Sequence, residues 1–336
     1  MLLSRIDKRS HRIRCSLPLV ARTFIALLAV VGTTAIAQTY PNRPIKLIVP
    51  YSSGTGMDMI ARIVGPKLAQ RLGQPVVVEN RVGASGNIGG SAAATSAPDG
   101  YTLMVNAQAM LIAARLYRSM PFDVLADFAP ISLTAWGTQM LVTHAKSGIR
   151  SVGELVAMAK TSPGKLTYST GGAGSSFHIT TETFNGVTGI QMLHVPYKGN
   201  AAALTDLIAG RVTVTVSAVH VVLPHVKAGT IVPLAVISPR RHAKVPDVPT
   251  MAEAGVAGVD DEFWHAMWAP KGTPEAIVAR IGAELHAILA LPDVKEAFGN
   301  VGLTPTTSTP EELQALMRRD LARLEQVIHK HNITLE

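Results

Sequence analysis

The sequence predicts an α/β protein with two lobes, and three observations predict it. Apolar, β-branched runs alternate with amphipathic stretches through most of the chain, as in sheets covered by helices. A strand that leads into a Gly/Ser-rich loop and a helix start occurs twice, from Ile45 and from Lys165. The length is sufficient for two separate cores. Because each loop presents unpaired N–H groups and the positive end of a helix, we predict one anion-binding loop in each lobe.

The first 37 residues have the pattern of an export signal. Six basic residues precede the apolar run FIALLAVV, and small residues follow it up to Ala37. This run is much shorter than the roughly 20 residues of a membrane-spanning helix, so a retained anchor is the lesser alternative. We expect cleavage after Ala37, a periplasmic location and a mature chain of about 299 residues.

Removal of this leader changes the charge and the cysteine count. Lys and Arg fall from 31 to 25 and Asp and Glu from 23 to 22, so the net charge is +3 instead of +8. With aromatic residues at 5% and no basic run, nucleic-acid binding is not expected. The single cysteine, Cys15, is lost with the leader, which excludes disulfides, thiolate catalysis and cysteine-bound metal.

Eight apolar runs are predicted to be strands, and because they are apolar on both faces we expect parallel sheets. They are residues 46–49, 75–79, 101–105, 139–142, 166–168, 192–195, 212–216 and 231–237. Amphipathic helices are predicted at 57–72, 152–160 and 201–208. The Pro-rich run 239–250 is interpreted as a surface connection.

From Thr273 onward the pattern is helical. The last helix is predicted from Pro310 to His329, because Thr309 and Glu312 form a capping-box signature at its start. We expect these C-terminal helices to have no strand partners and to pack back on the first lobe. That lobe would then be discontinuous in sequence.

The first Gly/Ser loop offers small residues that let a ligand approach the main chain. Its candidate ligand residues are Ser52, Ser53, Gly54 and Thr55. Asp58 follows at the helix start and has two interpretations. It either stabilises the helix dipole or stands at the rim of the site, where it would accept hydroxyl or amino groups and repel surplus negative charge.

The second loop combines hydroxyl groups with glycines, a composition that suits a carboxylate or phosphate. Its candidates are Thr170, Gly172, Gly174, Ser175 and His178. A histidine in the first turn of a helix is more often a local hydrogen-bonding residue than a metal ligand. No second ligand stands at metal-binding spacing, so we assign neither a metal nor a cofactor.

Enzyme motifs fit the sequence poorly. The first loop lacks the third glycine of a dinucleotide fingerprint, and no nucleophile elbow is present. A third Gly-rich segment, residues 79–89, is interpreted as a structural loop that could also form one wall of the cleft. An exported hydrolase or transferase therefore stays a second hypothesis without a positive signal.

Several segments resemble the substrate-binding proteins of tripartite tricarboxylate transporters, the Bug family, across the mature chain. They include YPNRPIKLIVPYSSGTGMDMIAR, VVVENRVGASGNIGGSAAATSAPDGYTL, YSTGGAGSSFHI, VPYKGNAAALTDLIAGRV, VPDVPTMAEAG and APKGTPEAIVARI. The resemblance implies a type II periplasmic binding-protein fold, with two α/β lobes that are joined by a hinge and close on a ligand. After the signal peptide at 1–37, we expect a first lobe from 38–138 and 260–336 and a second lobe from 139–259.

The resemblance also implies that both loops hold a ligand carboxylate. It adds Tyr197 and Lys198 of the PYKG segment, although Lys198 has the alternative interpretation of a solvated surface charge, and Gln108 is a further candidate. Two departures stand out. The family usually has two prolines and then Gly-Gly in the first loop, where this chain has Ser-Ser-Gly-Thr-Gly, and residues 211–216 lack the family's aspartate.

The expected function is reversible capture of a small carboxylate and its delivery to the membrane components of such a transporter, without catalysis. Mono-, di- and tricarboxylic acids, aromatic acids and acidic amino acids are all candidate ligands, and a monomer is expected. The alternative is a sensor that uses the same closed lobes to contact a signalling partner.

Overall fold

The computed structural model describes residues 40–197, 199–259, 262–330 and residue 333, so the predicted signal peptide lies outside the described residues. The chain from Pro41 onward forms one compact unit that contains two sheets. The strands are β1 (Ile45–Val49), β2 (Val76–Asn80), β3 (Thr102–Ala107), β4 (Phe128–Gly137), β5 (Gln139–His144), β6 (Thr167–Thr170), β7 (Leu193–Pro196), β8 (Val214–Ala218), β9 (Ile231–Ile237), β10 (Phe263–Pro270) and β11 (Leu303–Pro305).

Helices lie between most of these strands. They are α1 (Gly56–Leu72), α2 (Asn87–Ala94), α3 (Ala109–Leu116), α4 (Val152–Thr161), α5 (Ser176–Thr188), α6 (Asn200–Ile208), α7 (Val219–Lys227), α8 (Glu275–Leu289), α9 (Pro292–Asn300) and α10 (Pro310–Lys330). Short 3-10 turns occur at Ala84–Gly86 and Ala145–Ser147.

The six-stranded sheet, with its helices, is called the first lobe below. Its strand order is β11-β4-β10-β3-β1-β2. Strands β1, β2 and β3 are parallel, whereas β10 is antiparallel to both of its neighbours. One buried cluster joins one face of this sheet to α3 and α10, and includes Trp264, Trp268 and Met317.

The five-stranded sheet, with α4 to α7, is the second lobe. Its order is β7-β6-β8-β5-β9, with β6 parallel to β7 and β8 and with β5 antiparallel to β8 and β9. Helices α4 and α5 cover one face, and α6 and α7 cover the other, each through its own apolar cluster. Burial of both faces explains the apolar character of β5 and β9, whereas the edge strand β7 is partly exposed.

All eight predicted strands are present, but the prediction of parallel sheets was wrong because both sheets are mixed. Three strands were not predicted: β4, β10 and β11. The region from Thr273 onward was expected to have no strand partners, and this was also wrong because β11 lies within it and pairs with β4. Strand β10 precedes that region and pairs with the other edge of β4. The discontinuity of the first sheet is real, because these two strands follow the whole second sheet in sequence.

The C-terminal helix begins where the sequence predicted. The backbone N–H of Thr309 donates to Glu312 Oε2 at 2.8 Å, and the N–H of Glu312 donates to Thr309 Oγ1 at 3.2 Å. This reciprocal pair is the capping box. Near the middle of α10, the buried Asp320 accepts hydrogen bonds from Gln108 Nε2 at 2.8 Å and Trp264 Nε1 at 2.7 Å, which tie the helix to the first lobe.

Candidate functional site

The first loop, residues 50–55, connects β1 to α1 and is organised around a buried carboxylate. Asp58 is 2% exposed and accepts a hydrogen bond from the N–H of Gly54 at 2.9 Å. Asn80 Nδ2 donates to the same carboxylate at 2.9 Å, and Arg62 Nε lies 3.0 Å from both of its oxygens. Both carboxylate oxygens are thus occupied by protein donors.

The electrostatics of this network favour the ionised carboxylate. Burial alone would raise the pKa of Asp58, but the hydrogen bonds from Arg62, Gly54 and Asn80 lower it below its ordinary value. The side chain of Arg62 is 54% exposed, so the ion pair reaches from the loop interior to solvent. The negative charge of Asp58 at the first loop is therefore neutralised by Arg62.

The second loop, residues 171–175, connects β6 to α5. The N–H of Gly174 donates to His178 Nδ1 at 3.0 Å, and Ser175 Oγ caps the helix by accepting from the N–H of His178 at 3.3 Å. Because Nδ1 is an acceptor here, the ring proton of His178 lies on Nε2. Burial lowers the pKa of His178 to about 3, and the nearby His194 adds to the effect.

Three stacked rings, those of His178, His194 and Tyr168, lie next to the second loop. His178 stacks on His194 with a centroid distance of 4.0 Å, and His194 stacks on Tyr168 at 4.8 Å. His194 Nε2 lies 2.7 Å from Thr170 Oγ1, and that hydroxyl donates to the carbonyl of Gly172 at 3.0 Å. His178 thus contacts Gly174 near the end of the loop, and His194 contacts Thr170, the residue directly before the loop.

The starts of α1 and α5 meet at the beginning of β10. A Cβ atom on Gly56 would lie 2.8 Å from His265 Nε2, so the first residue of α1 packs directly on this buried ring. Phe177 of α5 makes an edge-to-face contact with Phe263 at 6.2 Å between centroids, and the ring of Phe263 lies 5.2 Å from that of His265. One strand thus contacts both loop-helix junctions.

A small polar cavity lies between the lobes at the start of α5. Its volume of about 10 Å³ is at the lower limit for holding one water molecule. It is lined by residues of both lobes, among them Gln108, Gln139, Ser176 and Thr180. The amide nitrogen of Gln108 is bound to Asp320, so this candidate contributes to the lobe contact and to the packing of α10.

The remaining predicted residues differ in their surroundings. Ser52 and Ser53 are exposed, and Thr55 Oγ1 donates to the carbonyl of Ser52 at 2.9 Å. The hydroxyl of Tyr197 donates to Asp206 Oδ2 at 2.7 Å and is therefore directed at α6. Lys198 lies outside the described residues.

Sequence reasoning missed four residues that shape this site: Arg62, Asn80, His194 and His265. His194 lies within a strand and outside any loop motif. Asn80 ends a strand and begins the Gly-rich segment 79–89, which was interpreted as a structural loop, so its contact with Asp58 was not predicted. Arg62 is one helical turn after Asp58, and that i,i+4 spacing was a usable signal. Nothing in the local sequence indicates that His265 contacts Gly56.

The arrangement suits a small anion. The N-cap of α1 makes no side-chain hydrogen bond, which leaves N–H groups of its first turn without an intrahelical acceptor. Within the residues that the structure describes, no group of three or more His, Cys, Asp or Glu side chains is placed to hold a metal ion. No helix in the same described ranges is long and apolar enough to cross a bilayer.

Comparison with known proteins decides the family. Residues 60–333 match the profile of the "Tripartite tricarboxylate transporter family receptor". The chain belongs to this family. The receptor has the type II periplasmic binding-protein fold, in which two α/β lobes are joined by a hinge and enclose a ligand cleft.

Three similar proteins illustrate the relationship. The receptor is 36% identical to Protein BugT of Bordetella pertussis over 321 residues, which covers 92% of this chain and 98% of BugT. It is 34% identical to R. palustris Rpa4515, solved with adipate, with a TM-score of 0.82 and coverage of 88% and 100%. It is 28% identical to MatC (Rpa3494) from Rhodopseudomonas palustris, solved with bound malate, with a TM-score of 0.77 and coverage of 86% and 100%.

Proposed function

We propose that this chain captures a small carboxylate in the periplasm and delivers it to a tripartite tricarboxylate-type membrane transporter. The observation that carries the proposal is the convergence of two loop-helix junctions, one from each lobe, on the start of β10. Helix N-termini favour anions, and two of them facing one space suit a ligand that both lobes touch. The solved relatives with adipate and malate support a carboxylate as the ligand class.

Ligand capture would work by lobe closure. We propose lobe boundaries at 38–138 with 260–336 and at 139–259, after a signal peptide that is removed behind Ala37. Thr138 lies between β4 of the first sheet and β5 of the second, and Glu262 lies where the chain returns from the second sheet to β10. Thr138 Oγ1 is 3.0 Å from Glu262 Oε1, so the two connections meet, and we propose that they form the hinge. A ligand shifts this equilibrium only by its preference for the closed state, so contacts from both lobes are needed.

A thermal-shift screen of the chain from Gln38 onward tests the proposal. The panel contains adipate, malate, citrate, glutamate and benzoate, with dimethyl adipate as the uncharged control. At a concentration of 100 times Kd, a true ligand adds about 2.7 kcal/mol to the stability of the folded state. We expect at least one carboxylate to raise Tm and dimethyl adipate to have no effect.

Two further measurements make the result decisive. Small-angle scattering should show a smaller radius of gyration with the bound carboxylate, as closure requires. Cellular uptake of that radiolabelled carboxylate should depend on both this chain and the membrane components. The proposal fails if no carboxylate raises Tm, and hydrolysis of the ester control would favour an exported hydrolase instead.

A further inference from the structure

The two loops share a hydrogen bond that their sequences do not reveal. In each, a glycine directly before the N-cap donates its N–H to the side chain of the third helical residue. Gly54 donates to Asp58 at 2.9 Å, and Gly174 donates to His178 at 3.0 Å. Both glycines have positive φ, 85° and 71°, and both acceptor side chains are buried. In an ordinary capping box, the side chain of the third helical residue accepts from the N–H of the N-cap residue. Here the donor is the residue before the N-cap, and this is so in both lobes.

We infer that Asp58 and His178 are equivalent positioning residues, each of which fixes the shape of one anion-binding loop without touching the ligand. The inference rests on the proposed function and deepens it. It also replaces the sequence-based hypothesis that Asp58 selects ligands at the rim of the site.

The hydrogen-bond inventory of each side chain supports this role. Asp58 receives donors from Gly54, Asn80 and Arg62, and at 2% exposure it has no free face toward the cleft. His178 is 7% exposed, its Nδ1 is occupied by Gly174 and one ring face is covered by His194, so Nε2–H is the remaining polar group of the ring. The acceptor of each side chain is therefore taken by a backbone N–H of its own loop.

The bond also determines which backbone donors are left for a ligand. The N–H groups of Gly54 and Gly174 are consumed by the two side chains. The first two amides of each helix have no intrahelical acceptor, and they follow immediately in sequence. These are the N–H groups of Gly56, Met57, Ser176 and Phe177. We assign the carboxylate to these amides and not to the two glycines.

The two positioning residues differ in charge. Asp58 is a carboxylate neutralised by Arg62, whereas His178 is an uncharged ring because its Nδ1 accepts a hydrogen bond. Despite this difference both supply one acceptor at the same helical position. The acceptor, and not the charge or the ring, is therefore the property that should matter for binding.

Matched variants separate these properties. His178→Asn keeps an acceptor atom in the position of Nδ1 but removes the ring, and His178→Phe keeps a ring on His194 but removes the acceptor. Asp58→Asn keeps an acceptor, and Asp58→Leu has similar volume without one. Isothermal titration gives Kd for every carboxylate of the panel that binds the unaltered chain, and Tm confirms that each variant is folded.

We expect the acceptor-free variants to weaken all bound carboxylates by about tenfold and the acceptor-retaining variants by about threefold or less. The rank order of the ligands should not change in any variant. A changed rank order would mean that the side chain touches the ligand, and wild-type affinity in His178→Phe would mean that the hydrogen bond is irrelevant. Either result overturns the inference.

A measurement on the unaltered chain covers the case in which a variant does not fold. Long-range ¹H–¹⁵N correlation of the His178 ring should show an unprotonated Nδ1 and a protonated Nε2 at pH 7, with and without ligand. Protonation of Nδ1, or a tautomer change on binding, contradicts the inference. If no carboxylate binds the unaltered chain, the proposed function fails while this spectrum still tests the hydrogen bond.

Discussion

At the residue scale, Gly56 shows how closely the candidate site is packed. It is the first residue of α1, and a Cβ atom there would lie 2.8 Å from His265 Nε2. His265 is 1% exposed and held within the central strand β10, so its ring has little room to move. The size of the side chain that position 56 can hold is therefore limited by His265, which is distant in sequence.

We predict that Gly56→Ala destabilises the protein by about 1–3 kcal/mol, because overpacking outweighs the better helix propensity of alanine. Gly153→Ala in α4 is the matched control, since its Cβ would lie 3.9 Å from the nearest atom, Ser151 Oγ. That control should add about 0.5–1 kcal/mol of stability. Urea unfolding measures both, and equal stability of Gly56→Ala and the unaltered chain would show that His265 yields easily.

At the element scale, the predicted and unpredicted strands differ in composition. The eight predicted strands follow apolar runs that each contain at least one β-branched residue, which local sequence reveals. Strand β10 contains no Val, Ile or Thr, and β4 has one Ile and one Thr among ten residues, so this signal is absent or weak in both. Their pairing joins distant segments, such as His265 with Ala107, and is interrupted by register shifts in β10 against β4.

The candidate site was predictable to a similar extent. Both loops, and the helices that follow them, could be located because glycine and small hydroxyl residues follow buried strands. Among the partners of Asp58, Arg62 had a usable signal in its i,i+4 spacing. The other two had none, since the bond to Gly54 depends on a positive φ and Asn80 comes from a different strand. Sequence therefore located the loops together with Asp58 and His178, but not most of the partners of these two side chains.

Helix α10 provides the prediction at this scale. Asp320 is 4% exposed and accepts from two buried donors, Gln108 Nε2 and Trp264 Nε1. Asp320→Leu should cost about 3 kcal/mol or more, because two buried donors lose their acceptor. Glu325→Gln on the same helix is the control, since its ion pair with Arg115, at 3.5 Å, is solvent-exposed and should matter by less than about 1 kcal/mol. Similar losses in both variants, measured by urea unfolding, would contradict the prediction.

At the scale of the whole molecule, the buried His178 and His265 and the half-buried His220 link stability to pH. Burial lowers the pKa of His178 and of His265 to about 3 and that of His220 to about 4, from an ordinary value of 6.5. Between these values the rings are neutral when folded but protonated when unfolded. The unfolded state then binds more protons, so stability is fully present above about pH 6.5 and falls as the pH is lowered.

We therefore predict that the free energy of unfolding falls between pH 6 and pH 4.5, with each histidine contributing up to about 1.4 kcal/mol per pH unit. His178→Asn should flatten this slope, because it removes one titrating ring and keeps the acceptor for Gly174. His329→Gln, at an exposed position on α10, should leave the slope unchanged. Urea unfolding at a series of pH values measures all three proteins. An unchanged slope in His178→Asn would mean that His178 titrates alike in both states. Since the Gly174 bond requires a neutral ring, the second loop should keep its shape throughout the neutral pH range.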